Sequence, residues 1–244
     1  MSRGFGGVRF TSHFPDAVTA VAGVVTQLGD MWFVVAGICV LFVLASRYPS
    51  LTDTPANDSV YLLALTVGAY SLTVALKHAF GLPRPPGAAT ATPPAWLPSV
   101  GHAVYESMVT GDGYGFPSGH ALKTTVVYGA GALALDVWDR DRRLAVAAAV
   151  SVLVAASRVV LGVHYVADVA VGAVAGALFL AGTVRLIDQR PARALALSTV
   201  LGALAFAVAG TTKSGVALAT AAVGLVVWVG ADRVRSAKAG TTDR

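Results

Sequence analysis

Charge is scarce in this chain: Asp, Glu, Lys and Arg supply 13% of its 244 residues, whereas hydrophobic residues supply 55%. Together with a mean hydropathy of +0.68, that scarcity excludes an ordinary soluble domain and indicates a polytopic membrane protein. Cysteine is almost absent. The single Cys39 lies inside an apolar run, so it forms no intrachain disulfide and gives no redox address. A fixed-period repeat is also missing. The formal charge of +5 and pI of about 9.6 do not mark a nucleic-acid partner, because the basic residues lie between hydrophobic segments rather than on one soluble face.

What is present is a series of long apolar runs. A spanning helix needs roughly 17 to 25 mostly apolar residues, and residues 31–46, 60–80, 119–137, 144–161, 165–187, 194–210 and 215–231 qualify. The expected fold is therefore an all-α transmembrane bundle of about seven spans, with six to eight admitted by the short first and last two runs. Continuous runs exclude a barrel, whose strands alternate in polarity. Residues 1–30 read as an interfacial segment: Arg3 and Arg9 precede an apolar stretch closed by Gly29 and Asp30. No small-residue cleavage site follows, so a removed signal peptide is not expected, and an amphipathic helix on the membrane surface is. The bundle occupies 31–187, with a core at 60–187 and a long outer loop at 81–117 rich in proline and glycine. Two further spans fill 188–231, and 232–244 form a tail. The Gly172-x-x-x-Gly176 spacing suits close helix packing.

Threading seven spans puts Arg47, Arg140, Arg142, Arg143, Arg185, Arg190, Arg193, Arg233, Arg235, Lys238 and Arg244 on one side, which the positive-inside rule makes cytoplasmic. The C-terminus is then cytoplasmic. Arg3, Arg9, Lys77, Arg84, Lys123, Arg158 and Lys213 remain on the other side. Three polar clusters converge there: Lys77 with Arg84-Pro85, Pro117-Ser118-Gly119-His120, and Arg158 with His164 and Asp168.

Lys77, Arg84 and Arg158 gathered near the interface call for an anion among them, and the arginine fork matches phosphate oxygens. Ser118 stands where it caps a helix, and Gly119 leaves the first free N–H groups open to an anionic ligand. His164 and Asp168 are four residues apart, so a carboxylate can fix the imidazole tautomer and leave the other nitrogen to attack. His120, from another helix, can donate a proton to a departing oxygen. Lys123 follows His120 by about one turn; it is either an extra cation for a second phosphate or acidic head group, or a lysine snorkelling to the interface. His78 reads as interfacial. His102 and Glu106, at helical spacing in the long loop, read as a solvated pair rather than a metal site, and Trp96 and Tyr105 as membrane-surface anchors.

The pattern K-x6-R-P, P-S-G-H, S-R-x5-H-x3-D resembles the type 2 phosphatidic acid phosphatase family, related to vanadium haloperoxidases, at every fixed position from Lys77 to Asp168. The resemblance implies that Lys77, Arg84, Ser118, Gly119 and Arg158 bind phosphate. It implies that His120 is the acid and that His164 forms a phosphohistidine with Asp168 orienting it. No metal or other cofactor is implied. A site at the outer, extracytoplasmic membrane edge suits a substrate whose tail stays in lipid while its head is hydrolysed, so the expected substrate is a lipid phosphate or polyprenyl diphosphate. Other readings are a phosphotransferase using the same intermediate, a lipid or anion transporter, and a zinc hydrolase. Oligomeric state is not readable.

Overall fold

A computed structural model describes residues 14–242 of the chain, with side chains through Ser236. Arg3, Arg9, Lys238 and Arg244 lie outside these described side chains. The described residues are helical, in the order α1 (Asp16–Gln27), α2 (Met31–Arg47), α3 (Pro55–Phe80), α4 (His102–Val109), α5 (Gly119–Ala134), α6 (Arg140–Val160), α7 (Val166–Ile187), α8 (Pro191–Ala209) and α9 (Thr212–Thr242). A 3₁₀ turn at Ser99–Gly101 leads into α4.

Each of the seven apolar runs becomes one helix. Five of them (α3, α6, α7, α8 and α9) are long and apolar enough to cross a membrane, and α1 with α2 makes a sixth candidate span bent by 52°. The remaining helix, α5, has 16 residues and lies inside the bundle. Local sequence explains the boundaries. Pro55 and Pro191 open α3 and α8, where the missing N–H costs nothing. The Asp139 carboxylate accepts the Arg142 N–H at 2.9 Å to start α6. Gly81 closes α3 at φ 59°, its N–H donating to the Lys77 carbonyl, a backbone shape glycine adopts without strain.

α3 is the central helix: 61% of its apolar window is buried, against 17% for α9. Its Tyr61, Leu62, Leu65 and Ala69 pack with Leu122 and Val126 of α5, Ala194 and Leu195 of α8, and Val34 and Ile38 of α2. Within lipid, such contacts hold by close packing rather than by escape from water. Small residues therefore matter. A Cβ on Gly172 would stand 2.5 Å from the Ser118 carbonyl oxygen, and one on Gly176 2.6 Å from that of Leu122; these two glycines let α7 lie against α5.

Three elements differ from the sequence reading. The 81–117 loop is not wholly irregular, because α4 forms within it and packs on α1 through Ala22, Val109, Tyr105 and Met108. α1 covers the expected interfacial segment, but it also packs against α6 and α4, and Thr26 is fully buried. The tail drawn from residue 232 continues α9 as far as Thr242, with the Arg235 guanidinium 5.0 Å over the Trp228 ring.

Candidate active site

Parts of four helices and four connecting segments line a cavity of about 340 Å³ at one end of the bundle. The C-terminal half of α3 brings Lys77, the segment after it Arg84, the start of α5 Gly119, His120 and Lys123, the end of α6 Arg158, and the α6–α7 turn His164. The three sequence clusters therefore meet around one space. Two carboxylates, Asp30 and Asp112, share its lining with four cations, Lys77, Arg84, Lys123 and Arg158.

The clusters are tied together by backbone as well as by packing. The Ser118 N–H donates to the Asp168 carbonyl at 2.9 Å, joining the start of α5 to the first turn of α7. Ser118 itself is fully buried and caps α5, its hydroxyl accepting from the Ala121 N–H at 3.5 Å. Its side chain is not part of the cavity lining, unlike the other proposed phosphate ligands. A Cβ on Gly119 would lie 2.7 Å from Thr73 Cγ2, so the missing side chain serves the contact of α5 with α3 as well as the opening toward the cavity.

His164 is not on a helix but in the turn before α7, whose N-cap is Tyr165. Its Nδ1 still lies 3.4 Å from Asp168 Oδ2, and the same oxygen accepts the Tyr165 N–H at 3.0 Å. On the other ring nitrogen, Arg84 Nη1 approaches Nε2 at 3.1 Å. A guanidinium can only donate, so Nε2 must be the unprotonated nitrogen and Nδ1–H must face Asp168. The tautomer is thus set from both sides. Burial first, then the Arg84, Arg158 and Lys77 cations and His120, push the His164 imidazole well below its ordinary pKa. It is held neutral, with a lone pair directed at the cation cluster.

Arg84 is itself fixed by donation from Nε to the Asp112 carbonyl at 2.8 Å and from Nη1 to the Val163 carbonyl at 2.9 Å. Arg158 donates from Nη1 to Thr26 Oγ1 at 2.8 Å, while its Nε is buried without a hydrogen-bond partner. A buried, charged donor left open beside two other cations has the chemistry to accept an anionic oxygen as its partner. Lys123 is buried and lines the same cavity. Its side chain thus lies with the other three cations of the cavity rather than at the lipid-facing surface.

The sequence reading missed Asp30, whose Oδ1 lies 3.1 Å from His120 Nε2, and Thr26, the partner of Arg158. Its one usable signal was an acidic residue between two apolar runs, which is costly unless paired. The weaker candidates stay outside the cavity lining. His78 Nδ1 lies 2.9 Å from the Val74 carbonyl and its ring meets Tyr114 edge-on. His102 Nε2 lies 3.0 Å from the Leu97 carbonyl. Glu106 lies on α4 one turn after His102, and its backbone carbonyl accepts from the Thr110 hydroxyl at 2.8 Å. Trp96 is exposed, whereas Tyr105 is half-buried against α4's neighbours.

Comparison with known proteins places this geometry. The PAP2 superfamily model matches residues 58–192, which includes every residue of the three clusters. The chain is 29% identical over 178 residues to the lipid A 1-phosphatase of Rhizobium etli, covering 69% of this chain and 71% of that protein. Its fold is similar to that of a transmembrane PAP2-type phosphatidylglycerolphosphate phosphatase from Bacillus subtilis, with a TM-score of 0.55 at 22% identity, covering 72% of this chain and 82% of the other.

Proposed function

The chain belongs to the PAP2 superfamily, and from that premise we propose that it is an integral membrane phosphatase acting on a lipid-linked phosphate monoester or diphosphate. The observation that carries the reading is the convergence of Lys77, Arg84, Arg158, His120 and His164 on one cavity. The relatives named above, a lipid A 1-phosphatase and a phosphatidylglycerolphosphate phosphatase, support a lipid substrate.

In the proposed cycle the phosphoryl oxygens lie among Lys77, Arg84 and Arg158, with the open Arg158 Nε as one donor and the start of α5 as another. The incoming phosphate takes Arg84 Nη1 as its own partner, which releases the Nε2 lone pair of His164. Nε2 attacks phosphorus, the bond from phosphorus to the lipid oxygen breaks, and that oxygen takes a proton from His120. Asp168 holds Nδ1–H and balances the positive charge that grows on the ring. In the second half water attacks the phosphohistidine, neutral His120 accepts the water proton, and the phosphorus–nitrogen bond breaks to return His164 and free inorganic phosphate. No step requires a metal ion.

Phosphate release by the purified protein in detergent tests the reading, with phosphatidic acid, phosphatidylglycerophosphate, sphingoid phosphates and polyprenyl diphosphates as substrates. Activity on at least one of them, lost by about 100-fold or more in His164→Ala and unaffected by chelator, is the expected result. Full turnover in His164→Ala would reject the nucleophile. Loss of wild-type activity in chelator would reject the metal-free cycle. Release of little phosphate until an acceptor alcohol is added would identify a transferase instead.

A further inference from the structure

The α1–α2 turn lies outside the region matched by the superfamily model, which begins at residue 58, yet it forms a wall of the cavity. Its position is tightly set. Tyr128 of α5 donates to the Leu28 carbonyl at 2.8 Å, and Arg158 of α6 donates to Thr26. A Cβ on Gly29 would stand 2.8 Å from His120 Cδ2 and 2.9 Å from Val154 Cγ1. The turn therefore lies flush against the His120 ring.

Asp30 occupies the N-cap position of α2, where an aspartate ordinarily accepts a backbone N–H from the helix it starts. Here it makes no such side-chain bond. Its carboxylate is turned instead to His120 Nε2 at 3.1 Å. We propose that Asp30 is the positioning residue of the acid–base histidine: its carboxylate holds Nε2–H of His120 and so leaves Nδ1 to deliver and recover the transferable proton.

The proposal rests on the phosphatase reading, and on His120 as its acid. The site then contains two imidazole–carboxylate pairs of opposite hand. Asp168 takes Nδ1 of the nucleophile, leaving Nε2 for phosphorus, and Asp30 takes Nε2 of the acid, leaving Nδ1 for the leaving oxygen. A carboxylate is needed there because the other charges facing His120 oppose its protonated form. These are Lys123 on α5 and Arg158 on α6, with Lys77 on α3, Arg84 after it and the His164 ring across the cavity. From α4 and its following segment come Ser107, Thr110 and Asp112, of which only Asp112 is charged. A neutral residue at position 30 would leave His120 among cations with no counter-charge in contact.

The test is a leaving-group comparison, since only a poor leaving group needs the acid. Asp30→Asn, purified in detergent, should lose about 10- to 100-fold in kcat/KM on an alkyl phosphate lipid. Its kcat/KM on 4-nitrophenyl phosphate, whose phenolate departs without a proton, should stay within about 3-fold of wild type, because kcat/KM ends at phosphohistidine formation, before His120 acts as base. On the alkyl substrate the Asn variant should also shift the alkaline limb of the kcat/KM profile to lower pH. In a His120→Ala background the same substitution should have no further effect. Asp30→Glu, which keeps the carboxylate, should recover part of the loss and carries the same comparison if the Asn variant is not recovered folded. Equal losses on both substrates would make Asp30 structural, and no loss on either would make it irrelevant; each overturns the proposal. If His164→Ala retained activity, the phosphatase cycle itself would fail, a result separable from failure of Asp30 alone.

Discussion

At the scale of single residues, Arg84 is the group on which the chemistry of His164 turns. One side chain binds the Asp112 and Val163 carbonyls and approaches Nε2 of His164, the proposed nucleophile, which only a planar fork can do at once. Arg84→Lys keeps the charge and loses that geometry, so kcat/KM should fall by about 10-fold or more, measured on whichever lipid phosphate is turned over. Protonation would remove the lone pair that the proposed attack by His164 needs, and burial with the surrounding cations depresses its pKa in the free enzyme. The acid limb of kcat/KM, which reports the free enzyme, should therefore lie below the ordinary imidazole range near 6.5. A limb at or above that value would mean that the ring is not held neutral. Lys77, Arg84, His120, Arg158, His164 and Asp168 were legible in the sequence because each sits at fixed spacing from a neighbour of complementary chemistry. Asp30 and Thr26 were not. Their contacts reach 90 and 132 residues along the chain, and an aspartate before an apolar run reads locally as a helix cap.

At the scale of elements, the positions of two motifs depend on how closely α7 approaches α5. Gly172 faces the carbonyl of Ser118, and the same Ser118 donates its N–H to Asp168, so the glycine seam holds the start of α5 against the first turn of α7. Gly172→Ala places a methyl group 2.5 Å from backbone that cannot rotate away, and the helices must part. The expected cost is about 1 to 3 kcal/mol of stability, with reduced phosphate release because His120 and His164 move apart. Gly182 on the same helix has nothing within 4 Å of its added Cβ, so Gly182→Ala should be neutral or stabilising by up to about 1 kcal/mol. Thermal unfolding of both variants in detergent gives the comparison, and equal behaviour would remove the seam from the account. Hydrophobic run length located the seven large helices, with their ends within about five residues except that α9 runs on to Thr242, because in lipid a backbone must satisfy its own hydrogen bonds. It did not locate α4, whose eight residues are too short and mixed to stand out, and it took α1 for a surface helix because an apolar face on α6 looks the same in sequence as one on lipid.

At the scale of the whole molecule, the direction of each helix puts two chemistries at opposite ends. α3 and α6 end at the cavity and α5 and α7 begin there, so the other ends of these helices gather Arg140, Arg142 and Arg143 at the start of α6 and Arg185 near the end of α7. The Asp136 N–H donates to the Leu51 carbonyl at 2.9 Å, joining the α2–α3 and α5–α6 connections at that far end. α8 starts at Pro191, directly after α7 ends at Ile187 at that far end, and packs on α3, with Ser198 donating to the Ala64 carbonyl at 2.6 Å. Arg190 and Arg193 therefore fall at the far end too. Outside the cavity the cations are concentrated on one side, and from the positive-inside rule we propose that this side is cytoplasmic. The cavity should then open to the extracytoplasmic leaflet, and cysteine accessibility decides the matter. Cys39 is exposed and is first replaced by Ser. Single cysteines are then placed at Trp96, exposed in the segment before α4, and at Arg140, exposed at the start of α6. In intact cells a membrane-impermeant maleimide should label Trp96→Cys and spare Arg140→Cys until the membrane is opened. The reverse pattern would invert the topology and present the cavity to cytoplasmic lipid phosphates, with its internal chemistry unchanged.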